Sequence, residues 1–298
     1  PDLFQESSTY YAIGFRGDMT VRRDPHKIRV SIRDRPALTV RARSTYYAGA
    51  SDTDADAAKT PAPSDPLRAA VASLLPDQTL HLQLAATPTF LASGETGINV
   101  LLGLDGPTTP RKVALLLGVF DRFAKQISSV RADAQAEPAP DGSGLIWRSH
   151  FPQKSGDYEL RIGVRDSDQA GSVYGYVEVP DPGRAPFALS GARLATNGQP
   201  TLQRRFSNGQ PFSVWTELHG RTPLRKDAAL TLEIVDAHGR SVREQTHVVP
   251  IASFGAGNVA DVRLDVPTHD LAAGRYVLRL MLKGGKPVPQ DELAFDLE

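Results

Sequence analysis

A chain of 298 residues with 40% hydrophobic content is long enough for about two domains and apolar enough to give each a core, which excludes global disorder. Lysine plus arginine and aspartate plus glutamate each number 34, so no net field draws the whole chain to nucleic acid or to an anionic membrane. Cysteine is absent, which removes thiol catalysis, thiolate zinc sites and disulfides while leaving the compartment open.

No apolar run reaches transmembrane length; the longest are strand-sized blocks such as Val113 to Val119. The chain starts at Pro1 with neither an initiator methionine nor a signal sequence, and is expected to be a piece of a longer one. Residues 1–48 read as the end of another domain. Leu3 to Glu6 fits the last turn of a helix, and Tyr10-Tyr11-Ala12-Ile13-Gly14-Phe15 fits a buried strand. The alternating runs Lys27 to Arg33 and Leu38 to Arg43 then predict a hairpin, with Arg29, Arg33, Arg41 and Arg43 along one face. Residues 49–66 are small, acidic and proline-containing, and read as a linker.

Helical spacing from Leu67 to Leu75 predicts a short helix packed across the end of a β-sandwich. Seven strand candidates follow: Leu80 to Ala85, Ile98 to Leu104, Val113 to Phe120, Gln126 to Ala132, Leu145 to Phe151, Tyr158 to Arg165 and Val173 to Val179. Short runs between Gly, Pro and Asp turns point to an antiparallel sandwich over 67–182, and nothing supplies the helices a parallel sheet needs. The breaker cluster Asp181-Pro182-Gly183-Arg184-Ala185-Pro186 sets the next boundary. Beyond it, a second sandwich over 183–298 is predicted from Phe187 to Leu194, Pro211 to Leu218, Ala229 to Asp236, Val242 to Pro250, Val259 to Val266, Tyr276 to Leu282 and Leu293 to Leu297. Asp236-Ala237-His238-Gly239 reads as a hairpin turn.

One stretch occurs twice, Gly156-Asp157-Tyr158-Glu159-Leu160-Arg161 and Gly274-Arg275-Tyr276-Val277-Leu278-Arg279. The match stays in register through the rest of the strand, a turn (Asp166 to Gly171, Gly284 to Pro289) and a closing strand. A Gly-x-Tyr start to the penultimate strand matches the tyrosine corner, whose ring packs under the end of a sandwich and whose hydroxyl bonds upstream backbone. The expected fold class is therefore mainly β, two tandem antiparallel immunoglobulin-like or fibronectin-like sandwiches, each ending in this hairpin.

Motifs for chemistry are weak. The seven histidines share no metal-ligand spacing, and no Gly-x-Ser-x-Gly elbow occurs. Asp52, Asp54 and Asp56 open like a calcium loop, but Ala57 and Pro63 stand where glycine and the bidentate glutamate belong. Gly255-Ala256-Gly257-Asn258-Val259-Ala260 fits a loose dinucleotide fingerprint, yet an alternating strand follows it rather than a helix. Arg16-Gly17-Asp18 is a tripeptide cheap by chance. Glu159 and Glu178 could face one another as a carboxylate pair, although solvated charges on an outer sheet face are commoner. No catalytic, cofactor or metal residue is nominated. The candidate interaction surface is Tyr174 and Tyr176, which are exposed if Val173 and Val177 point inward, together with Arg29, Arg33, Arg41 and Arg43. Trp147 and Trp215 read as core.

The segments Tyr10 to Phe15, His26 to Val30, Leu38 to Arg43 and Tyr46-Tyr47-Ala48 resemble the closing segment of the bacterial von Willebrand factor A-related proteins. Gly156 to Asp166, Gly171-Ser172-Val173, Val177 to Asp181 and Leu189-Ser190-Gly191 extend the resemblance over most of the chain. It implies that residues 1–48 are the last strand and Arg-rich hairpin of a truncated α/β A-like domain lying upstream, and that the protein is exported, periplasmic or at the cell surface. The family's A-like domain carries a metal-ion-dependent adhesion site on an Asp-x-Ser-x-Ser loop. No such loop occurs in this sequence, so no metal ligand is carried over. The function expected from this is a non-catalytic interaction or scaffold region that mediates adhesion or assembly with protein partners, without nucleic acid and without membrane insertion of this segment. The alternative is a carbohydrate-binding or accessory module, which predicts a row of coplanar exposed aromatics or two convergent carboxylates.

Overall fold

The computed structural model describes residues 25–27, 45–47, 65–73, 75–183, 185–224, 226–283 and 291–298. The fold is mainly β. Strands β1 (Pro25–Lys27) and β2 (Thr45–Tyr47) pair antiparallel, with Pro25 opposite Tyr47 and Lys27 opposite Thr45. Residues 28–44, with Arg29, Arg33, Arg41 and Arg43, lie outside the described residues, as do Arg16-Gly17-Asp18 and Asp52 to Asp56.

The first half is one antiparallel sheet of seven strands: β3 (Leu82–Phe90), β4 (Thr96–Asp105), β5 (Arg111–Asp121), β6 (Gln126–Pro138), β7 (Gly144–Pro152), β8 (Gly156–Asp166) and β9 (Gln169–Val179). All seven expected strands are present, and 113–120 is strand rather than helix. In space the order is β3-β4-β7-β6-β5-β8-β9. β6 joins two layers, since Gln126 and Ser128 to Ala136 pair with β5 and its last two residues, Glu137 and Pro138, with β7. The sheet nearly closes on itself: β9 approaches β3 so closely that a Cβ on Gly175 would stand 2.9 Å from Leu84 Cδ2. Alternate residues of each strand fill the interior, among them Leu84, Ile98, Leu102, Leu115, Leu160, Ile162 and Val177. Each contributes roughly 1.5–3 kcal/mol by leaving water.

The second half is built from two sheets. In one, β10 (Phe187–Leu189) and β11 (Arg193–Thr196) both pair with β14 (Phe212–Gly220), whose other edge takes β17 (Val259–Val266). The two-residue β12 (Gln199–Pro200) extends β11. The other sheet runs β13-β19-β18-β15-β16, with β15 (Ala228–Asp236), β16 (Ser241–Val249), β18 (Gly274–Leu282) and β19 (Asp291–Leu297) antiparallel. β13 (Arg205–Phe206) adds parallel to β19 and makes this sheet mixed. Leu194, Val214, Leu218, Leu230, Ile234 and Leu278 fill the core between them. At one end Phe206 stacks on Phe212 at 4.0 Å, and Phe295 packs against Phe212 at 5.2 Å.

The two halves share one plan. In each, a hairpin (β5-β6, β15-β16) lies beside the penultimate strand (β8, β18), which pairs with the last (β9, β19). In each, an earlier strand (β4, β14) sits between the first strands and the one before the Gly-x-Tyr segment (β7, β17). Even the hairpin turns match. Asp121 Oδ1 accepts the amides of Phe123 and Lys125, and Asp236 Oδ1 those of His238 and Arg240. The fourth turn residue has positive φ in both, Ala124 at 61° and Gly239 at 79°.

Tyr276 is 7% exposed and its hydroxyl donates to Ala272 O at 2.8 Å, the geometry expected of a tyrosine corner. Tyr158 packs against the first core half-buried, and among the described residues its hydroxyl has no such partner.

Helix α1 (Pro66–Ala72) starts with Asp65 as N-cap, its carboxylate accepting from Leu67 N, and Pro66 at a position that needs no N–H. Contrary to expectation, it does not cross an end of the first half. It lies on the outer face of β5, β8 and β9, where glycines leave it room: a Cβ on Gly163 would stand 3.0 Å from Leu67 O, and one on Gly118 would stand 3.3 Å from Val71 Cγ1. Its C-terminal carbonyls are satisfied from the sheet below. Arg161 Nη1 donates to Val71 O and Ser73 O, and the Tyr174 hydroxyl to Ala70 O and Ser73 O. Arg161 also stacks between Phe120 and Tyr174, at 4.6 and 4.9 Å, and its Nε donates to Glu159 Oε1 at 2.8 Å. Glu159 is thus buried and faces Tyr176 across the ladder, while Glu178 stands opposite Asp157. The two glutamates form no carboxylate pair.

Replacing Arg161 with methionine removes the guanidinium bonded to buried Glu159, and should cost about 3–5 kcal/mol in urea denaturation. Adding Glu159→Gln should recover most of that loss; a double variant no more stable than the single would contradict this account of the helix seat.

Candidate functional site: the junction between the halves

The segment Ser190-Gly191-Ala192 divides what the sequence suggested was one strand into β10 and β11. The reason is contact with the first half. Gly191 N donates to Pro88 O at 2.9 Å, and a Cβ on Gly191 would stand 2.6 Å from Thr87 Cβ. Pro88 is tolerated there because β3 is an edge strand and the proline lacks only a ladder donor.

Beside this contact, β14 turns Val214 and Leu218 into its own core and Trp215, Glu217 and His219 the other way. The first half covers part of that outward face. Glu217 is 6% exposed and its two carboxylate oxygens accept from opposite sides: Oε2 from Thr89 Oγ1 of the first half at 3.0 Å, Oε1 from Arg193 Nη2 of the second. Its backbone is fixed as well, with Glu217 N donating to Ser190 Oγ at 2.7 Å and Ser190 N to Glu217 O at 2.8 Å. Arg193 Nε is buried without a hydrogen-bond partner among the described residues. A charge held this way is costly to take from water and stays only because it is neutralised in place.

Two residues along, His219 packs on Phe90 of the first half with ring centroids 5.3 Å apart. Its Nδ1 is buried without a partner among the described residues, and burial holds its pKa below the ordinary 6.5. Further on, two turns meet through bare backbone. Gly94, at φ 83°, and Gly257, at φ 65°, face one another so closely that a Cβ on Gly257 would stand 2.2 Å from Gly94 N. At the other end Leu202 lies where a Cβ of Gly103 would be, and Thr201 Oγ1 donates to Asp141 Oδ2 at 3.4 Å. Asp105 borders this crevice, and burial raises its carboxyl pKa. The crevice offers about 10 Å³, room for one water at most rather than a ligand.

Of the expected interaction residues, Tyr176 is exposed and Val173 and Val177 are buried. Tyr174 shares the outward face but is covered by α1 and bonded to it, with burial raising its pKa. Trp147 packs half-buried against the first core. Trp215 is half-buried on the outer face, under Arg263 at 4.0 Å and with Nε1 donating to Ser213 Oγ. The segment 255–258 is a turn leading into strand β17, not into a helix. No group of three or more His, Asp or Glu side chains able to hold a metal occurs among the described residues, and none of the described helices is long and apolar enough to cross a membrane.

No protein-family model and no curated protein matches the chain. Among solved structures it is similar to the Pseudomonas fluorescens alkylpurine DNA glycosylase AlkC bound to DNA containing an abasic site analog, at 16% identity and a TM-score of 0.28, over 38% of this chain and 31% of that one. It is also similar to the BSP domain of a biofilm associated protein, at 12% identity and a TM-score of 0.35, over 72% of this chain and 29% of that one. The chain thus spans less than a third of the length of either.

Two tests follow from the junction. Thr89→Val keeps the shape but removes a donor to a buried carboxylate, and should cost about 1.5–3 kcal/mol; no loss of stability would show that Glu217 is satisfied without it. His219 binds a proton less readily folded than unfolded, so stability must rise with pH here. Its contribution is complete above pH 6.5 and drains away as pH falls below that value. His219→Gln should flatten the slope of unfolding free energy against pH just below 6.5, and identical slopes for variant and parent would refute this.

Proposed function

We propose that the chain is a non-catalytic scaffold region: two fibronectin-like β-sandwiches docked side by side in the C-terminal portion of an exported bacterial von Willebrand factor A-related protein, serving adhesion or assembly at the cell surface or in the periplasm. The observation that carries this reading is that both halves repeat one strand order and meet across a closed, hydrogen-bonded junction. The element common to both, a hairpin beside the penultimate strand that in turn pairs with the last, supports a sandwich of the fibronectin kind. Sandwiches in series project a surface away from an anchor, and a packed junction keeps that projection stiff. The family assignment rests on the quoted sequence segments, and the site of action on what that family implies. Tyr176 and the arginines Arg29, Arg33, Arg41 and Arg43 remain the proposed contact surfaces.

Stiffness and adhesion are separately measurable. By NMR relaxation, amides of both halves should report one rotational correlation time, and Gly257→Val, which drives a side chain into the Gly94 turn, should split it into two shorter ones. Displayed on a bacterial surface, the folded chain should raise attachment or clumping of cells. Independent tumbling in the parent protein would remove the scaffold reading, and folded, displayed protein without any effect on attachment would remove the adhesive one.

A further inference from the structure

Strand β6 is 13 residues long, the longest among the described residues, and over Gln126 to Ala136 only one of its edges is paired among the described residues, to β5. From Gln126 to Arg131 every residue is exposed, including Ile127 at 43% and Val130 at 57%. Proteins ordinarily guard such an edge with lysine, proline or a very short strand. Here Pro138 comes only after the strand has joined β7, and the exposed stretch holds no lysine.

The sequence along this edge is complementary to itself. Two copies related by a two-fold axis perpendicular to the sheet pair antiparallel, and keep their faces matched only if the paired residue numbers sum to an even value. Centred on Ala132, that pairing sets Arg131 against Asp133 of the second copy and Asp133 against its Arg131. Val130 then stands opposite Ala134, and Ser129 opposite Gln135. No like charges meet. Arg131 already reaches Asp65 Oδ2 through Nη1, but a guanidinium has five N–H donors and can serve both carboxylates. The corresponding edge of the second half, β16, also exposes apolar residues, Val242 at 43% and Val248 at 63%. Its charges, Arg243 and Glu244, are neighbours in sequence and lie on opposite faces, so no two-fold pairing brings them together.

We propose that the open edge of β6 is a self-association surface, at which a second copy of this chain adds its own β6 antiparallel in the Ala132-centred register. Ladder hydrogen bonds supply the attraction, and the two Arg131–Asp133 pairs select the register. This surface is separate from the junction and goes beyond the scaffold role.

The test uses the 298-residue chain in sedimentation equilibrium. The parent should form a concentration-dependent dimer. Asp133→Arg alone sets Arg against Arg, and Arg131→Asp alone sets Asp against Asp. Each should weaken the dimer about tenfold or more while remaining folded by circular dichroism. Mixing the two single variants in equal amounts restores both opposite-charge contacts, so a heterodimer should reappear. A parent that stays monomeric, single variants that dimerise as the parent does, or a mixture that stays monomeric would each overturn the proposal, as would a monomeric parent that instead takes an unrelated extended peptide on β6.

Discussion

Two carboxylates lifted out of water, Glu159 and Glu217, set the conditions that the rest of the structure meets. Each sits on the outer face of a strand where alternation would ordinarily place a solvated charge, and each is covered by something that comes from elsewhere in the chain. Helix α1 covers Arg161, to which Glu159 is bonded, and the edge of the first half covers Glu217. Neither burial is tolerable without a guanidinium held beside it, from Arg161 or Arg193, and hydrogen-bonded neighbours. The pairs therefore contribute little net attraction. What they do is penalise every arrangement in which the cover is misplaced, because a shifted helix or half strands a charge.

The same strand order serves the two halves differently. In the first, β6 bends to reach β7 and the sheet comes close to a barrel; in the second, β16 stops short, β13 joins the far edge, and two separate sheets result. Closure in the first half leaves its outer surface as the place where helix and neighbour attach. The second half instead spends its first strand on the junction, broken at Gly191 so that a backbone amide can reach Pro88.

Most of the strands were legible because their apolar residues repeat at period two, and the repeated Gly-x-Tyr segment correctly marked equivalent hairpins. The tyrosine corner was legible at Tyr276 but only half so at Tyr158, whose ring packs while its hydroxyl finds no backbone partner among the described residues. What periodicity could not show was cover on the second face. β8 is buried from Glu159 through Val164, so the polar members Glu159 and Arg161 looked like surface and are interior. A clue was present in Gly118 and Gly163, two glycines in mid-strand, where a missing side chain marks the close approach of another element. The junction was hidden for a similar reason. Thr89, Glu217 and Gly257 are far apart in sequence, and nothing in their own runs announces that they meet.

The contact between Gly94 and Gly257 is backbone against backbone, so enlarging one cannot be offset by shrinking the other. Faces matched this tightly carry the geometry themselves. Evolution can exchange this pair only as a single cassette, since either half transplanted alone would arrive with an acidic, hydroxyl-lined face that no longer has a mate.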